Sequence, residues 1–493
     1  MRAMLEDYFS VYRKNIVGID QEFDGPFGRK KIVYADWTAS GRLYRPIEEE
    51  LFEVIGPFVG NTHTGTTITG RRMTLAYQEA LKHIKAHVNA GPNDVIISSN
   101  SGMTGVVNKF QRILGLRIHE KYQPLLNMNS DERPLVLVTH MEHHSNQTSW
   151  LETIANVEVI PSTPEGLVDL EGLVSLLNQH KNREVKIAAI TSYSNVTGIG
   201  TPYHKIASIM HHFGGVCFVD FAMAAPYIEI DMHPEMPDEY LDAIYFSPHK
   251  FLGGPGGTGI LIFNSNLYKN KIPDCPGGGT VEWTNPWGGH KYIDDIELRE
   301  DGGTPAFLQT IKVALAIKLK EQMGVKKMLL REQEILDQIW PELDKIPNLH
   351  ILAPHIRERL GVISFYIDNL HYNLAVKLLN DKYGIQTRGG CSCAGTYGHY
   401  LLHVDVNASR LITEKITHGD LSLKPGWVRI SIHPVMTTGE INLILGAIKD
   451  IALNFGTLSC EYYYDAHSNE YFHFSEKGIT DSWAQKIFKN GFI

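Results

Sequence analysis

Seven short, mostly uninterrupted apolar runs constrain this chain's fold more than any other feature. They are Val95 to Ile97, Leu135 to Val138, Val157 to Ile160, Ile187 to Ile190, Val216 to Val219, Ala243 to Phe246 and Ile260 to Phe263. A strand with one wet face alternates apolar and polar residues. Most of these runs do not, so they predict strands covered on both faces. Helical patterns fill the gaps at Gly102 to Leu114, Ser145 to Ala155, Asp169 to His180 and Pro202 to His212. That order predicts an α/β layered domain around a mainly parallel sheet. After a long helix pattern at Pro305 to Met323 the spacing changes. Helices at 326–344, 373–383 and 438–453, with strands at 362–367 and 428–432, predict a smaller α/β lobe. The expected division is an N-terminal segment (1–29) packing with the small lobe, a large domain (30–324), a small domain (325–455) and an extension (456–493) with no assigned role.

Chemistry in such sheets gathers at the carboxyl ends of the strands. Polar clusters follow four of the runs directly: His140 to Asn146, Asn195, Asp220, and Ser247-Pro248-His249-Lys250. The last is followed by the glycine-rich run Phe251 to Gly257. A lysine just past a strand end, beside a histidine and a hydroxyl, can hold an aldehyde cofactor as a Schiff base while neighbouring donors bind a phosphate. Pyridoxal 5'-phosphate (PLP) fits that description. It also needs a carboxylate at its ring nitrogen and a flat group over the ring. Asp220 and His143 are placed to supply these. The alternatives are a helix-capping role for Asp220, and a capping segment or a metal pair around His143. Adjacent histidines point apart on most backbones, which disfavours a shared metal, and no metal site is expected. Ser101 to Gly105 opens a helix after a strand, where free N–H groups bind phosphate.

Charge and composition narrow the function classes. The 46 Lys+Arg against 55 Asp+Glu give −9, which disfavours a nucleic-acid or polybasic membrane partner. No apolar run reaches the ~18 residues of a membrane span. Residues Met1 to Asp7 carry acids and no apolar signal core. The cysteines Cys217, Cys275, Cys391, Cys393 and Cys460 are sparse and odd in number. They predict a reducing compartment, the cytoplasm, rather than a disulfide framework.

Taken together, the motifs resemble those of class V aminotransferase-fold PLP enzymes, and within that group cysteine desulfurases and selenocysteine lyases. The matching pieces are Tyr34 to Ser40, Met141 to Asn146, Ser194 to Gly198, Val219 to Ala222, Ser247 to Lys250, Asp301 to Pro305, and Arg388-Gly389-Gly390-Cys391-Ser392-Cys393. They fall in family order over residues 30–450. The resemblance implies a fold type I, aspartate-aminotransferase-like transferase with a seven-stranded sheet, and a homodimer with shared active sites. It implies that Lys250 carries the cofactor, Asp220 pairs with the ring nitrogen, His143 stacks on the ring and Asn195 contacts the ring oxygen side. Ser247, His249, Thr104 and the amides of Gly102 and Met103 would hold the phosphate, and Thr304 the phosphate of the partner subunit. Arg429 would grip the substrate carboxylate, with Arg388 the next candidate. The chain departs from the pattern at Met223, where glutamine is usual, at Met103, where threonine is common, and in a lengthened stretch between Cys393 and Arg429.

Cys393 stands five residues after Arg388, the spacing of the acceptor cysteine in desulfurases. Its thiolate would take the sulfur or selenium of the amino acid as a persulfide and leave alanine, with Arg388 and His399 near enough to lower its pKa. Cys391 would relay the persulfide, and a sulfur-acceptor protein would receive it. The competing readings for the pair are an incomplete metal site and bystander thiols. The competing functions are a persulfide-free class V reaction on a small amino acid (transamination, epimerisation or β-elimination) and an inactive sulfur-delivery scaffold.

Overall fold

The computed structural model describes residues 2–99, 102–476 and 483–489. Each apolar run is a strand: β1 (Asp94–Ser99), β2 (Leu135–Val138), β3 (Asn156–Val159), β4 (Lys186–Thr191), β5 (Val216–Asp220), β6 (Ala243–Phe246) and β7 (Gly259–Asn264). They form one sheet in the order β1-β7-β6-β5-β4-β2-β3. The pairings from β6 to β3 are parallel. Strand β7 runs antiparallel to both its neighbours.

The sheet separates two cores, which is why its strands are apolar on both faces. Leu135, Leu137, Ala188, Ile190, Cys217 and Val219 face one core; Val136, Val138, Ile187, Ala189 and Phe218 face the other. In the second, Phe110 meets Phe218 and Phe263 at centroid distances of 4.9 and 5.0 Å. Truncating such a ring to alanine costs about 3–5 kcal/mol. Thr191 pairs with Asp220 and Asp220 with Tyr245, so β4, β5 and β6 end level with one another. The segments leaving them emerge along a single edge.

The helices that frame this sheet and the small lobe are α1 (Arg2–Arg13), α2 (Ile68–His87), α3 (Met103–Ile113), α4 (His144–Leu151), α5 (Leu170–Gln179), α6 (Tyr203–His212), α7 (Phe307–Met323), α8 (Val325–Leu343), α9 (Tyr372–Tyr383), α10 (Gly395–Leu401), α11 (Val406–Thr417) and α12 (Thr438–Leu458). The small lobe carries an antiparallel sheet of β8 (Leu349–Ile351), β9 (Val362–Ile367), β10 (Arg388–Gly390) and β11 (Trp427–Ser431), in the order β8-β9-β11-β10. The N-terminal segment is tied to this lobe. Arg13 forks onto Glu440 with two 2.7 Å bonds, Glu6 pairs with Arg331 at 2.8 Å, and Val33–Tyr34 pairs in parallel with Ile385–Gln386.

Several features differ from the sequence expectation. Helix α4 stops at Leu151, where Thr153 turns back to donate to the Trp150 carbonyl at 2.6 Å. The long stretch after Cys393 contains α10 and α11. The extension holds a hairpin of Tyr462–Asp465 and Glu470–His473, clamped to α9 by Asn469 Nδ2 on Tyr372 Oη (2.7 Å) and Tyr462 Oη on Asp381 (2.9 Å). Helix α12 is, by length and composition, long and apolar enough to cross a membrane, although its sequence holds no unbroken apolar run of that length. Its buried residues Ile441, Ile444, Leu445, Ile448, Ile451 and Ala452 recur every three or four positions, the stripe of a core helix.

Candidate active site

The level ends of β4, β5 and β6 open into a cavity of about 210 Å³. Ser247, His249 and Lys250 enter from β6, Asp220, Ala222 and Met223 from β5, and Thr191, Tyr193 and Asn195 from β4. His143 and Ser145 come from the segment after β2, and Gly102, Met103 and Thr104 from the start of α3. Thr38 and Ala39 come from an N-terminal turn; Arg388, Ser392, Cys393 and Arg429 come from the small lobe. A larger cavity of about 620 Å³ lies along α2, and none of the expected site residues lines it.

Lys250 ends a single helical turn, Pro248–Lys250, directly after β6. The glycine run lets the chain fold back over this turn. A Cβ at Gly254 would stand 1.9 Å from the Pro248 carbonyl oxygen. Burial pulls the Lys250 ammonium down to about 8, against the pull of Asp220's charge. The same burial, with Lys250's charge, takes His249 down to about 4.

At the start of α3, Met103 N–H donates to Ser247 Oγ at 2.8 Å, and Thr104 Oγ1 meets Ser145 Oγ at 2.7 Å. Gly102 adopts φ +118°, a conformation closed to most side chains, and a Cβ there would stand 3.4 Å from Ser247 Oγ. Ser101, expected in the same loop, lies outside the described residues.

Asp220 sits at the end of β5, and its Oδ1 accepts the Ala222 N–H at 2.7 Å. It therefore both caps its own turn and borders the cavity. Burial lifts its carboxyl to about 6, opposed by that bond and by Lys250. His143 likewise has two tasks. Its Nδ1 accepts Ser145 N–H at 3.1 Å, capping α4, and this fixes the other ring nitrogen as the N–H. Burial, then the charge of Lys250, brings it down to about 3, so the ring is neutral. Beneath it, the buried Glu142 accepts from Thr139 Oγ1 (2.6 Å), Thr191 N–H (2.9 Å) and Asn146 Nδ2 (2.8 Å), while Asn146 Oδ1 accepts from Tyr245 Oη (2.6 Å). This network locks the His143 segment onto β4 and β6.

On the small-lobe side, Arg429 Nη2 meets Asp36 Oδ1 at 2.7 Å and Arg388 Nε meets Asp36 Oδ2 at 3.2 Å. Arg429 Nη1 also donates to the Asn195 carbonyl at 3.0 Å. The loop that bears Cys393 is strained: Ser392 and Cys393 have φ of +51° and +58°. Two bonds hold it there. Asn195 Nδ2 donates to the Ser392 carbonyl at 2.7 Å, and His144 N–H donates to the Cys393 carbonyl at 2.7 Å. Left-handed non-glycine residues cost about 1–3 kcal/mol each and persist where the surroundings over-determine them.

The family model for aminotransferase class V matches residues 33–444. The chain belongs to the class V aminotransferase family. It is 28% identical over 398 residues to a curated protein of Staphylococcus aureus (strain N315) named "Probable cysteine desulfurase", covering 79% of this chain and 89% of that one. A namesake in Staphylococcus epidermidis (strain ATCC 12228) is 29% identical over 370 residues, covering 74% and 84%. Two solved structures share the fold. A cysteine desulfurase from Thermococcus onnurineus NA1 superposes with a TM-score of 0.71 at 22% identity, covering 90% of this chain and 98% of that one. The cysteine desulfurase CsdA from Escherichia coli superposes with a TM-score of 0.69 at 21% identity, covering 91% and 98%.

Class V enzymes work with PLP, and the residues of this cavity fit that group. The site offers a lysine amine, a buried carboxylate, a neutral imidazole and a phosphate cradle at the start of α3, where the φ of +118° at 102 favours glycine. All expected site residues line the cavity except Thr304. That residue is exposed on the segment after Asp301 and takes no part in this chain's own cavity. One expectation about the thiol fails. His399 turns away from Cys393, with Nδ1 on the Gly395 carbonyl (2.8 Å) and Nε2 on Ser409 Oγ (3.0 Å), and faces α11. Cys391 packs against the lobe core and does not line the cavity. Reading the sequence for site residues missed Thr38, Glu142, Tyr193 and Ser392. Thr38, Glu142 and Ser392 stand inside the matching motifs, but a lone polar side chain carries no spacing signal.

Proposed function

We propose that this chain is a PLP-dependent cysteine desulfurase or selenocysteine lyase, and that it works as a homodimer delivering sulfur or selenium to an acceptor protein. The observation that carries the reading is that Cys393 borders the same cavity as Lys250, Asp220, His143 and Arg429. Lys250, Asp220 and His143, with the donors around Gly102, Met103, Thr104, Ser247 and His249, are the residues that would hold the cofactor. Bound there, PLP supplies an electron sink for charge developing at the substrate α-carbon.

This chain's residues do the rest. Arg429 binds the substrate carboxylate and orients the α-carbon toward Lys250. With its pKa drawn down to about 8, the Lys250 amine is a competent base for the α-proton near neutral pH. Asp220, which burial raises only to about 6 and so leaves ionised at neutral pH, would hold a proton at the ring-nitrogen position. The Cys393 thiolate attacks the substrate's β-chalcogen. A bond forms between Sγ and that atom as its bond to the β-carbon breaks, and a proton delivered to the β-carbon followed by one returned from Lys250 to the α-carbon completes alanine. Thr304, exposed and outside its own cavity, is free to serve a second subunit, in keeping with the dimer reading.

The test is product analysis. Purified enzyme with L-cysteine and a thiol reductant should yield alanine and sulfide in equal amounts. Pyruvate in place of alanine would instead assign a β-elimination.

A further inference from the structure

The loop that carries Cys393 belongs to the small lobe, yet a helix of the large domain grips it. His144, the first residue of α4, supplies two of the bonds. Its main-chain N–H donates to the Cys393 carbonyl at 2.7 Å, and its ring Nε2 accepts the Gly395 N–H at 2.9 Å. One turn further on, Gln147 Oε1 accepts from Thr396 Oγ1 at 2.7 Å. The ring lies close against the loop backbone: a Cβ at Gly395 would stand 3.1 Å from His144 Nε2. The helix is a firm anchor, because Asn146 ties it to Glu142 at 2.8 Å and to Tyr245 at 2.6 Å. His143 borders the cavity, whereas the ring of His144, tilted 52° from it at 6.4 Å, does not. An accepting Nε2 requires a neutral imidazole with its proton on Nδ1. Burial, then the charge of Lys424, lowers the pKa of His144 below the ordinary 6.5 and so favours that form.

We propose that His144 is a positioning residue for sulfur transfer: by clamping the backbone on both sides of Ala394 it holds the Cys393 thiol at the mouth of the cavity, without itself touching substrate or cofactor. This rests on the reading of Cys393 as the sulfur acceptor. Cys393 is exposed, so packing does little to place its side chain, and the backbone must do so. That backbone is unfavourable by itself, since Ser392 and Cys393 both have positive φ. A loop freed from the clamp relaxes toward the common backbone regions and carries the thiol with it. Reaction at a displaced nucleophile slows steeply, because a shift of about 1 Å can cost on the order of 100-fold. Asn195 also holds the loop, through the Ser392 carbonyl, but it borders the cavity. His144 separates the placing of the thiol from the handling of the cofactor.

The experiment compares two rates in the PLP-loaded enzyme, for wild type, His144→Leu and His144→Gln. The first is exchange of the α-proton of L-alanine for deuterium, followed by NMR, which needs Lys250 and the cofactor but no thiol. The second is the appearance of persulfide on the peptide holding Cys391 and Cys393 in a single turnover of L-cysteine. His144→Leu keeps bulk and loses the acceptor, so persulfide formation should slow at least about tenfold while α-proton exchange changes less than about twofold. His144→Gln offers an oxygen near the Nε2 position and should restore transfer to within about threefold of wild type. Thr396→Val removes the Gln147 bond from the loop's own side. It should slow transfer about threefold, and it carries the test if the leucine variant does not fold. Equal losses in both rates would make His144 structural and overturn the assignment. So would transfer as fast as wild type in His144→Leu or, failing that variant, in Thr396→Val. If wild type itself forms no persulfide, the acceptor reading falls and this proposal falls with it.

Discussion

Arg429 and Asp36 lie 393 residues apart in the chain and meet at 2.7 Å, joining the central strand of the small lobe to the N-terminal turn beside the cavity. Arg429 is 3% exposed, and burial alone would lower its pKa; the Asp36 carboxylate opposes this. Removing one partner of such a pair leaves a buried charge. Asp36→Ala should therefore cost about 3 kcal/mol in urea unfolding of the cofactor-free protein. Arg429→Lys keeps the charge but loses the planar fork, and KM for amino-acid substrates should rise about tenfold. An unchanged KM would move the carboxylate site to Arg388.

Lys250→Ala should reduce turnover below about 1% of wild type, because no other amine borders the cavity among the described residues. The variant should also replace the Schiff-base absorption band with that of the free aldehyde, while PLP still binds through Ser247, His249 and the start of α3. Borohydride treatment of wild type should leave the label on the Lys250 peptide. A label on another lysine would contradict the assignment.

Asp220→Asn should lower kcat at least about 100-fold with the fold intact, since a neutral amide removes the charge aimed at the cofactor ring. The Ala222 N–H can still be capped by the amide oxygen, so far-UV circular dichroism should be unchanged. Near-normal activity would reduce Asp220 to its capping role.

How much of this could be read from sequence depended on whether a residue's task is written into a local pattern. The seven strands were legible because a sheet buried on both faces imprints an unbroken apolar run on every strand. Lys250, Asp220 and Asn195 were legible because they follow such runs, and the ends of parallel strands converge by geometry. The helix Ile68–His87 was hidden by the Thr64 to Gly70 run at its start, which reads as a loop, although Met73, Tyr77, Ala80 and Ile84 repeat at helical spacing. Thr38, Glu142 and Ser392 owe their place to contacts across the fold. Glu142 meets Thr191 N–H from 49 residues away, and nothing near it in sequence signals that. His399 was misjudged because nearness in sequence to Cys393 was taken for nearness in space; helix α10 turns its ring the other way.

A pH effect on stability follows from Glu332, which is 4% exposed and accepts the Gly361 N–H. Burial raises its carboxyl to about 8, above the ordinary value of 4.5. A carboxyl raised in the folded state binds its proton more tightly there than in the unfolded chain. Its contribution is thus complete below pH 4.5 and is lost as pH rises through 8. Stability of the cofactor-free protein should fall by several kcal/mol between pH 5 and pH 8, helped by Asp220 and Glu142, which burial raises to about 6 and about 7. Glu332→Gln should flatten that slope without touching the cavity. A slope identical to wild type would mean the group is charged when folded.

The central claim is that Cys393 accepts the substrate's sulfur, and the most direct measurement is the mass of the peptide holding Cys391 and Cys393 after brief exposure to L-cysteine. The account predicts one added sulfur atom on Cys393 in wild type, none on that peptide in Cys393→Ala, and no alanine from that variant. An unmodified peptide in wild type, with alanine formed as fast by Cys393→Ala as by wild type, would contradict it.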